Sequence, residues 1–214
     1  MLDKFVKNVH GFLLSPVDAF KQAGSKTLGA AYQYYAMLLV IFTVLYGIVT
    51  LAVGAFMFNS YVQQVSMVPL IGKMLSAGLA KFGSFVMVSQ LFYVYMVFLA
   101  LLFGVFLAGF LLHVFVILMD GKKGVRETLK TTMYAATPGL LLGWIPFVCI
   151  IGWAWSFVLL ILGFRDNNGL SFEKAVLAAV VPVLLGLIML ALGISVISTF
   201  IGALVSLLPG HFSG

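Results

Sequence analysis

Charge is what this chain lacks most. Twelve Lys and Arg and six Asp and Glu make up 8% of 214 residues, against 63% hydrophobic residues, and so little polar surface cannot cover a water-soluble globule. Lipid must be the solvent for most of the chain. Cysteine is almost missing as well: Cys149 stands alone inside an apolar segment, which excludes an intrachain disulfide and suits a small buried hydrophobe. Motifs that carry chemistry are also wanting, with no His-Glu-x-x-His, no Gly-x-Ser-x-Gly and no Walker loop. Asp166-Asn167-Asn168-Gly169 lacks the alternating oxygen ligands and distal glutamate of a calcium loop. All six carboxylates fall in or beside polar stretches, so an intramembrane hydrolase or proton-coupled carrier would not find the ionisable groups it needs at depth. The expectation is a protein that is not an enzyme and takes no cofactor and no metal.

The formal charge of +6 sits in a few short clusters. That distribution suits a negatively charged membrane surface and argues against nucleic acid, whose binding needs basic residues along a face. Near the N-terminus Phe5, Val9, Phe12 and Leu13 recur at helical spacing, predicting a helix that lies flat in the interface with its lysines among the headgroups. Pro16 starts a second short helix carrying Phe20. No cleavable signal is read there.

The first span is expected over Ala30 to Phe58, entered through Tyr32, Tyr34 and Tyr35 at headgroup level. Thr43, Gly47, Thr50 and Gly54 share one helical face where a neighbouring helix can approach closely. Asn59 to Lys81 is too polar and broken to span, and reads as a loop with a short helix near Leu70 to Leu79. Phe82 to Met119 carries no charge but is longer than one straight crossing, so the span is expected over Phe92 to Met119. Ala100, Gly104 and Ala108 stand four apart on it, a small-residue packing pattern. His113 is the one ionisable side chain deep in an apolar run, open either to a relay or ligand role or to a bond with a neighbouring helix.

After the polar loop from Asp120, with a helix starting near Val125, come a third and a fourth span, Thr131 to Trp144 and Phe147 to Phe164. Each is barely long enough to cross, so a re-entrant hairpin stays open as an alternative. Pro138 and Pro146 remove backbone donors, which leaves at least one carbonyl seeking a threonine or a neighbouring helix. Trp144, Trp153 and Trp155 suit an interfacial belt. In the next turn Gly169 can take positive φ and Ser171 can cap the last helix, which runs to Leu208 and bends at Pro182. Its stripes Ala191-Ser195-Thr199-Ala203 and Ser198-Gly202-Ser206 are expected to lie against other helices.

Placing the N-terminus, Asp120 to Lys130 and Arg165 to Lys174 on one side gathers 10 of the 12 Lys and Arg there and leaves Lys73 and Lys81 opposite. That side is read as the cytoplasm. The fold class is thus all-α: a polytopic membrane helix bundle of five transmembrane helices plus an N-terminal interfacial helix. Residues 1–29 form the cytosolic and interfacial segment, 30–209 the membrane domain and 210–214 an external tail. Lys122, Lys123, Arg126, Lys130, Arg165 and Lys174 come close on the cytosolic face as a candidate patch for anionic lipid or an acidic partner. Gly47, Gly54, Gly104, Ala108, Pro138, Pro182, Ser195 and Gly202 are the candidate packing positions.

Pro16 with Phe20, Tyr134 followed four residues on by Pro138, the hairpin, Gly169-Leu170, Lys174-Ala175 and Pro182 resemble the Yip domain family of Rab-interacting five-span membrane proteins. The resemblance runs from Pro16 through most of the chain and implies a cytosolic N-terminus, membrane traffic or membrane shaping, and, in eukaryotic members, Rab-type GTPases. The short N-terminal region lacks the Asp-Leu-Tyr-Gly-Pro stretch of the eukaryotic traffic proteins, which argues against GTPase binding and for a prokaryotic member in the cell membrane. Two functions remain. One is a non-catalytic scaffold that binds lipid, other membrane proteins or itself; the other is a channel or carrier built on the broken third to fifth spans.

Overall fold

The computed structural model describes the backbone of residues 2–207 and the side chains of residues 3–201. Among the described residues the chain forms nine helices: α1 (Leu2–Leu14), α2 (Pro16–Gly24), α3 (Leu28–Ser66), α4 (Gly72–Ala80), α5 (Gly83–Leu118), α6 (Val125–Ala135), α7 (Thr137–Leu142), α8 (Val148–Asn168) and α9 (Phe172–Leu207). Four of them, α3, α5, α8 and α9, are long and apolar enough to cross a membrane. The molecule is an all-α, multi-pass membrane bundle.

The 39 residues of α3 make a rod of about 58 Å, twice the roughly 30 Å of a bilayer core. It runs on through Asn59, Gln63 and Gln64, expected to be loop, because none of these residues breaks a helix. The turn comes at Pro69, next to Leu70 at φ 71°. Likewise α5 starts at Gly83, well before Phe92. The two rods lie antiparallel in a register that can be followed from end to end. Tyr32 packs on Phe106, ring centres 5.1 Å apart, and the Tyr35 hydroxyl donates to the Leu101 carbonyl at 2.9 Å. Further out, a Cβ on Gly47 would touch Val94 at 3.3 Å, the Gln90 amide lies directly over Gly54, and Phe58 abuts Gly83.

The third expected span is two helices with a break at Ala136. Proline explains it. Pro138 has no N–H for the Tyr134 carbonyl, and the Thr137 hydroxyl donates to that carbonyl instead, at 2.6 Å. Across the hairpin the Gly139 N–H donates to Ser156 Oγ at 2.8 Å, tying α7 to α8. The hairpin turns at Phe147, exposed and at φ 66°. At the other end of α8, Gly169 takes φ 71° and the Leu170 N–H reaches the Phe164 carbonyl, the left-handed stop that a residue without Cβ adopts at least cost. The Lys174 N–H points to Ser171 Oγ at 3.4 Å, so α9 starts where the turn chemistry placed it.

One core joins Phe12, Phe20, Tyr34, Tyr35, Leu38, Met133, Tyr134, Leu140 and Leu159, and a second joins Val116, Phe164, Leu170, Ala175, Ala178 and Ala179. Both lie toward the end where the charged loops are. The apolar face of α1, expected to rest in lipid, is thus turned onto the bundle, with Phe12 and Phe20 buried. Beyond this compact half, α3 and α5 continue as a two-helix arm. From Val183 onward every described residue of α9 is exposed.

Candidate functional site at the charged end of the bundle

The loop after α5 and the turn after α8 lie side by side. The Lys122 backbone N–H points to the Asn168 carbonyl at 3.4 Å, and the Lys174 ammonium pairs with Asp120, not with Glu173. Lys174 holds the Asp120 carboxyl below the usual carboxylate range, as expected for an acid hydrogen-bonded to a cation. Lys122, Lys123 and Arg126 are exposed. Arg165, on the last turn of α8, is held by both oxygens of Asp166, at 2.7 and 3.2 Å.

Lys130 leaves the expected patch. Its side chain is 4% exposed and its ammonium donates to the carbonyls of Gly24 and Lys26 at 3.0 and 2.9 Å, with Glu127 at 2.9 Å. The spacing was legible, since Lys130 stands one turn after Arg126, but α6 turns that position toward α2. A buried ammonium is tolerated there because a carboxylate and two carbonyls surround it.

Beneath the loops lies a polar layer that hydropathy alone did not reveal. Thr128 accepts a hydrogen bond from the Asn168 amide at 2.7 Å, and its hydroxyl is 2.9 Å from His113 Nδ1. His113 thus bonds to a neighbouring helix. The Asn167 amide donates to Thr131 at 3.2 Å, and the Tyr34 hydroxyl meets Thr137 at 3.1 Å. Thr128, Thr131 and Ala135 fall on one face of α6 at helical spacing, the one signal that could have found this layer. Above it Tyr134 is stacked by Phe12 at 4.8 Å and flanked by Tyr34 at 5.4 Å, while Phe12 meets Phe20 edge-on at 5.0 Å. Lys26 stands 5.8 Å over the Tyr134 ring. Residues far apart in sequence, Phe20 and Tyr134, therefore share one aromatic cluster.

The packing positions divide. Gly47, Gly54 and Pro138 stand at helix contacts, whereas Gly104 has open space beside it and Ala108 is exposed. The close approach on α5 is at Gly109, where a Cβ would lie 2.5 Å from Leu129 Cδ2; the four-residue spacing was real but the partner helix lies on the adjoining face. Pro182 is half-buried within α9. Ser195 is exposed with no helix against it, and Ser198 and Thr199 turn their hydroxyls back to the Ser195 carbonyl at 2.9 and 2.8 Å. The surroundings of Gly202, the side chains of Ala203 and Ser206, and the tail 210–214 lie outside the described residues. Among the described residues no three His, Cys, Asp or Glu side chains gather as metal ligands.

The family model of the Yip1 domain matches residues 11–194, from the last turn of α1 to the middle of α9. No curated protein and no solved structure matches the chain.

Proposed function

The chain belongs to the Yip1 domain family, and on that premise we propose that it is a non-catalytic membrane scaffold whose charged end faces the cytosol and gathers anionic lipid or an acidic partner. One observation carries the reading: two loops distant in sequence are joined through Lys122 and Asn168, with Lys122, Lys123 and Arg126 exposed beside them. Each such cation contributes on the order of 1 kcal/mol near an anionic surface. The same reading counts five crossings, with Thr131 to Trp144, the later part of α6 together with α7, as the third. The N-terminus is then cytosolic and the C-terminus outside.

Replacing Lys122, Lys123 and Arg126 by Gln tests it. Insertion should be unchanged while binding to anionic vesicles weakens, and high salt should have the same effect on the parent protein. Equal lipid preference in the triple variant would reduce the patch to a topology signal. Cysteines placed at the exposed positions Lys123 and Glu173 should be labelled from the cytosolic side alone; labelling of either from outside would remove the proposed orientation. Reproducible solute or ion flux in liposomes would favour a channel or carrier instead.

A further inference from the structure

The corner between α1 and α2 encloses a pocket of about 150 Å3 that the loop patch does not include, lined by Lys7, Asn8, His10, Ser15, Asp18 and Lys26 among others, with Phe12 at its base. The corner is open because Pro16 restarts the helix at once after Ser15, whose backbone leaves the helical region at φ −139° and whose side chain makes no capping bond. The first N–H groups of α2 therefore keep their partial positive charge at the pocket.

Lys26 is the fixed cation of this pocket. Its backbone carbonyl receives the buried Lys130 ammonium at 2.9 Å, its own ammonium donates to Asn8 Oδ1 at 2.8 Å, and the Tyr134 face lies 5.8 Å away. An ammonium has three donors, so one bond to Asn8 leaves others free. Lys7 lines the same pocket, and burial together with Lys7 lowers the Lys26 ammonium below its ordinary value. The two cations are thus close enough to repel. Among the described residues neither of them, nor Asp18, is ion-paired. Two unpaired cations and one unpaired carboxylate around an open volume describe a ligand that carries both signs.

We propose that this pocket binds the headgroup of an aminophospholipid, the phosphate held between Lys7 and Lys26 and the primary ammonium by Asp18. The size suits a headgroup and not a folded partner, and the pocket sits on the helix pair whose lysines belong at headgroup level. Bound phosphate relieves the repulsion between the lysines, and bound ammonium gives the Asp18 carboxylate an ionic partner that it does not have among the described residues. A choline headgroup fits less well, since its quaternary ammonium has no N–H to donate to Asp18. The inference rests on the membrane reading above for the source of its ligand, but not on the charges of the loop patch.

Native mass spectrometry of the full chain in detergent, titrated separately with phosphatidylethanolamine, phosphatidylcholine and phosphatidylglycerol, tests it. Phosphatidylethanolamine should be retained at least about tenfold better than phosphatidylcholine, the worth of one charge-assisted hydrogen bond. Lys7→Gln with Lys26→Gln should lower retention of all three lipids by roughly tenfold or more, with helix content checked by circular dichroism. Asp18→Asn is the more discriminating variant: it should abolish the preference for phosphatidylethanolamine over phosphatidylcholine without lowering retention of phosphatidylglycerol. Soluble phosphoethanolamine in excess should displace the lipid, because the headgroup is what is recognised. The triple Gln change in the loop should leave the preference intact, which separates this site from the patch. Equal retention of the two zwitterionic lipids by the parent protein, no effect of Asp18→Asn, or no displacement by phosphoethanolamine would each overturn the proposal.

Discussion

Near the loops, α3 is packed by α6 and α7 and α5 by α6 and α9, burying Tyr34, Tyr35, Leu38 and Val105; further out the same two rods meet chiefly each other, and α9 from Val183 to Ile201 is exposed on every face. Both halves are apolar, so apolarity is not what separates them. Lipid chains solvate Leu and Phe as well as another helix does, and association in a membrane depends on close backbone contact and on polar groups that need partners. The inner half is rich in both. Thr128, Thr131, Thr137, Ser156, Asn167 and Asn168 are buried there, and Gly109, Gly139, Gly152 and Gly163 stand where a Cβ would lie under 3.0 Å from a neighbour. The outer half has few such devices, chiefly Gln90 over Gly54 and the Tyr46–Tyr93 hydroxyl contact.

This contrast can be broken. Tyr134→Ala empties the centre of the aromatic cluster and should cost about 3–5 kcal/mol, read as a fall in the thermal midpoint and folded yield in detergent. Ile197→Ala, in the exposed stretch of α9, should change stability by under about 0.5 kcal/mol; comparable losses in the two variants would mean that the halves are not differently held. Lys130→Met should cost about 3 kcal/mol, because Glu127 and two carbonyls lose their buried cation, and it should expose the region around Lys26 to proteolysis. If limited digestion there is unchanged, the N-terminal helices are held by aromatic contacts alone.

Gly109→Leu and Gly104→Leu sharpen the comparison within a single helix. The first drives a side chain into Leu129 and should cost roughly 1–3 kcal/mol; the second enters open space and should be nearly neutral in fluorescence-detected size exclusion. The smallest effect belongs to Lys174→Gln. Its partner Asp120 is fully exposed, so the pair adds little at any pH. What it adds comes from a carboxyl held below its unfolded value, so it is present above about pH 4 and lost as pH falls through the lowered value. A midpoint for this variant clearly below the parent at pH 7 would show that the two loops are held more tightly than an exposed pair allows.

Much of the helix order was legible because prolines, glycines and charges punctuate it: α2 at Pro16, α6 at Val125, the stop at Gly169 and the cap at Ser171 stand where those residues put them. Helix ends within apolar runs were not, since nothing in Gln63 or Phe85 marks where lipid begins. The face that packs was legible at Gly47 and Gly54 and not at Gly104, because a small residue permits approach but only the partner's position selects which small residue is used. The buried state of Lys130 was hidden for a similar reason. Its neighbours Lys122, Lys123 and Arg126 are exposed, and what distinguishes it is a contact with carbonyls more than a hundred positions earlier.

That contact orders events during synthesis. The carbonyl of Gly24 precedes Lys130 by 106 residues, and the Phe20 ring waits equally for Gly163 and Thr131 to form its seat. At a synthesis rate of about 5–20 residues per second, α1 and α2 exist for roughly 5 to 20 seconds before the surface that receives them. During that interval Phe5 and Phe12 have Tyr34 of α3 beside them, but the Tyr134 ring that stacks on Phe12 is still to be made. The docked position of α1 and α2 in the finished fold is therefore completed only when α6 and α8 arrive.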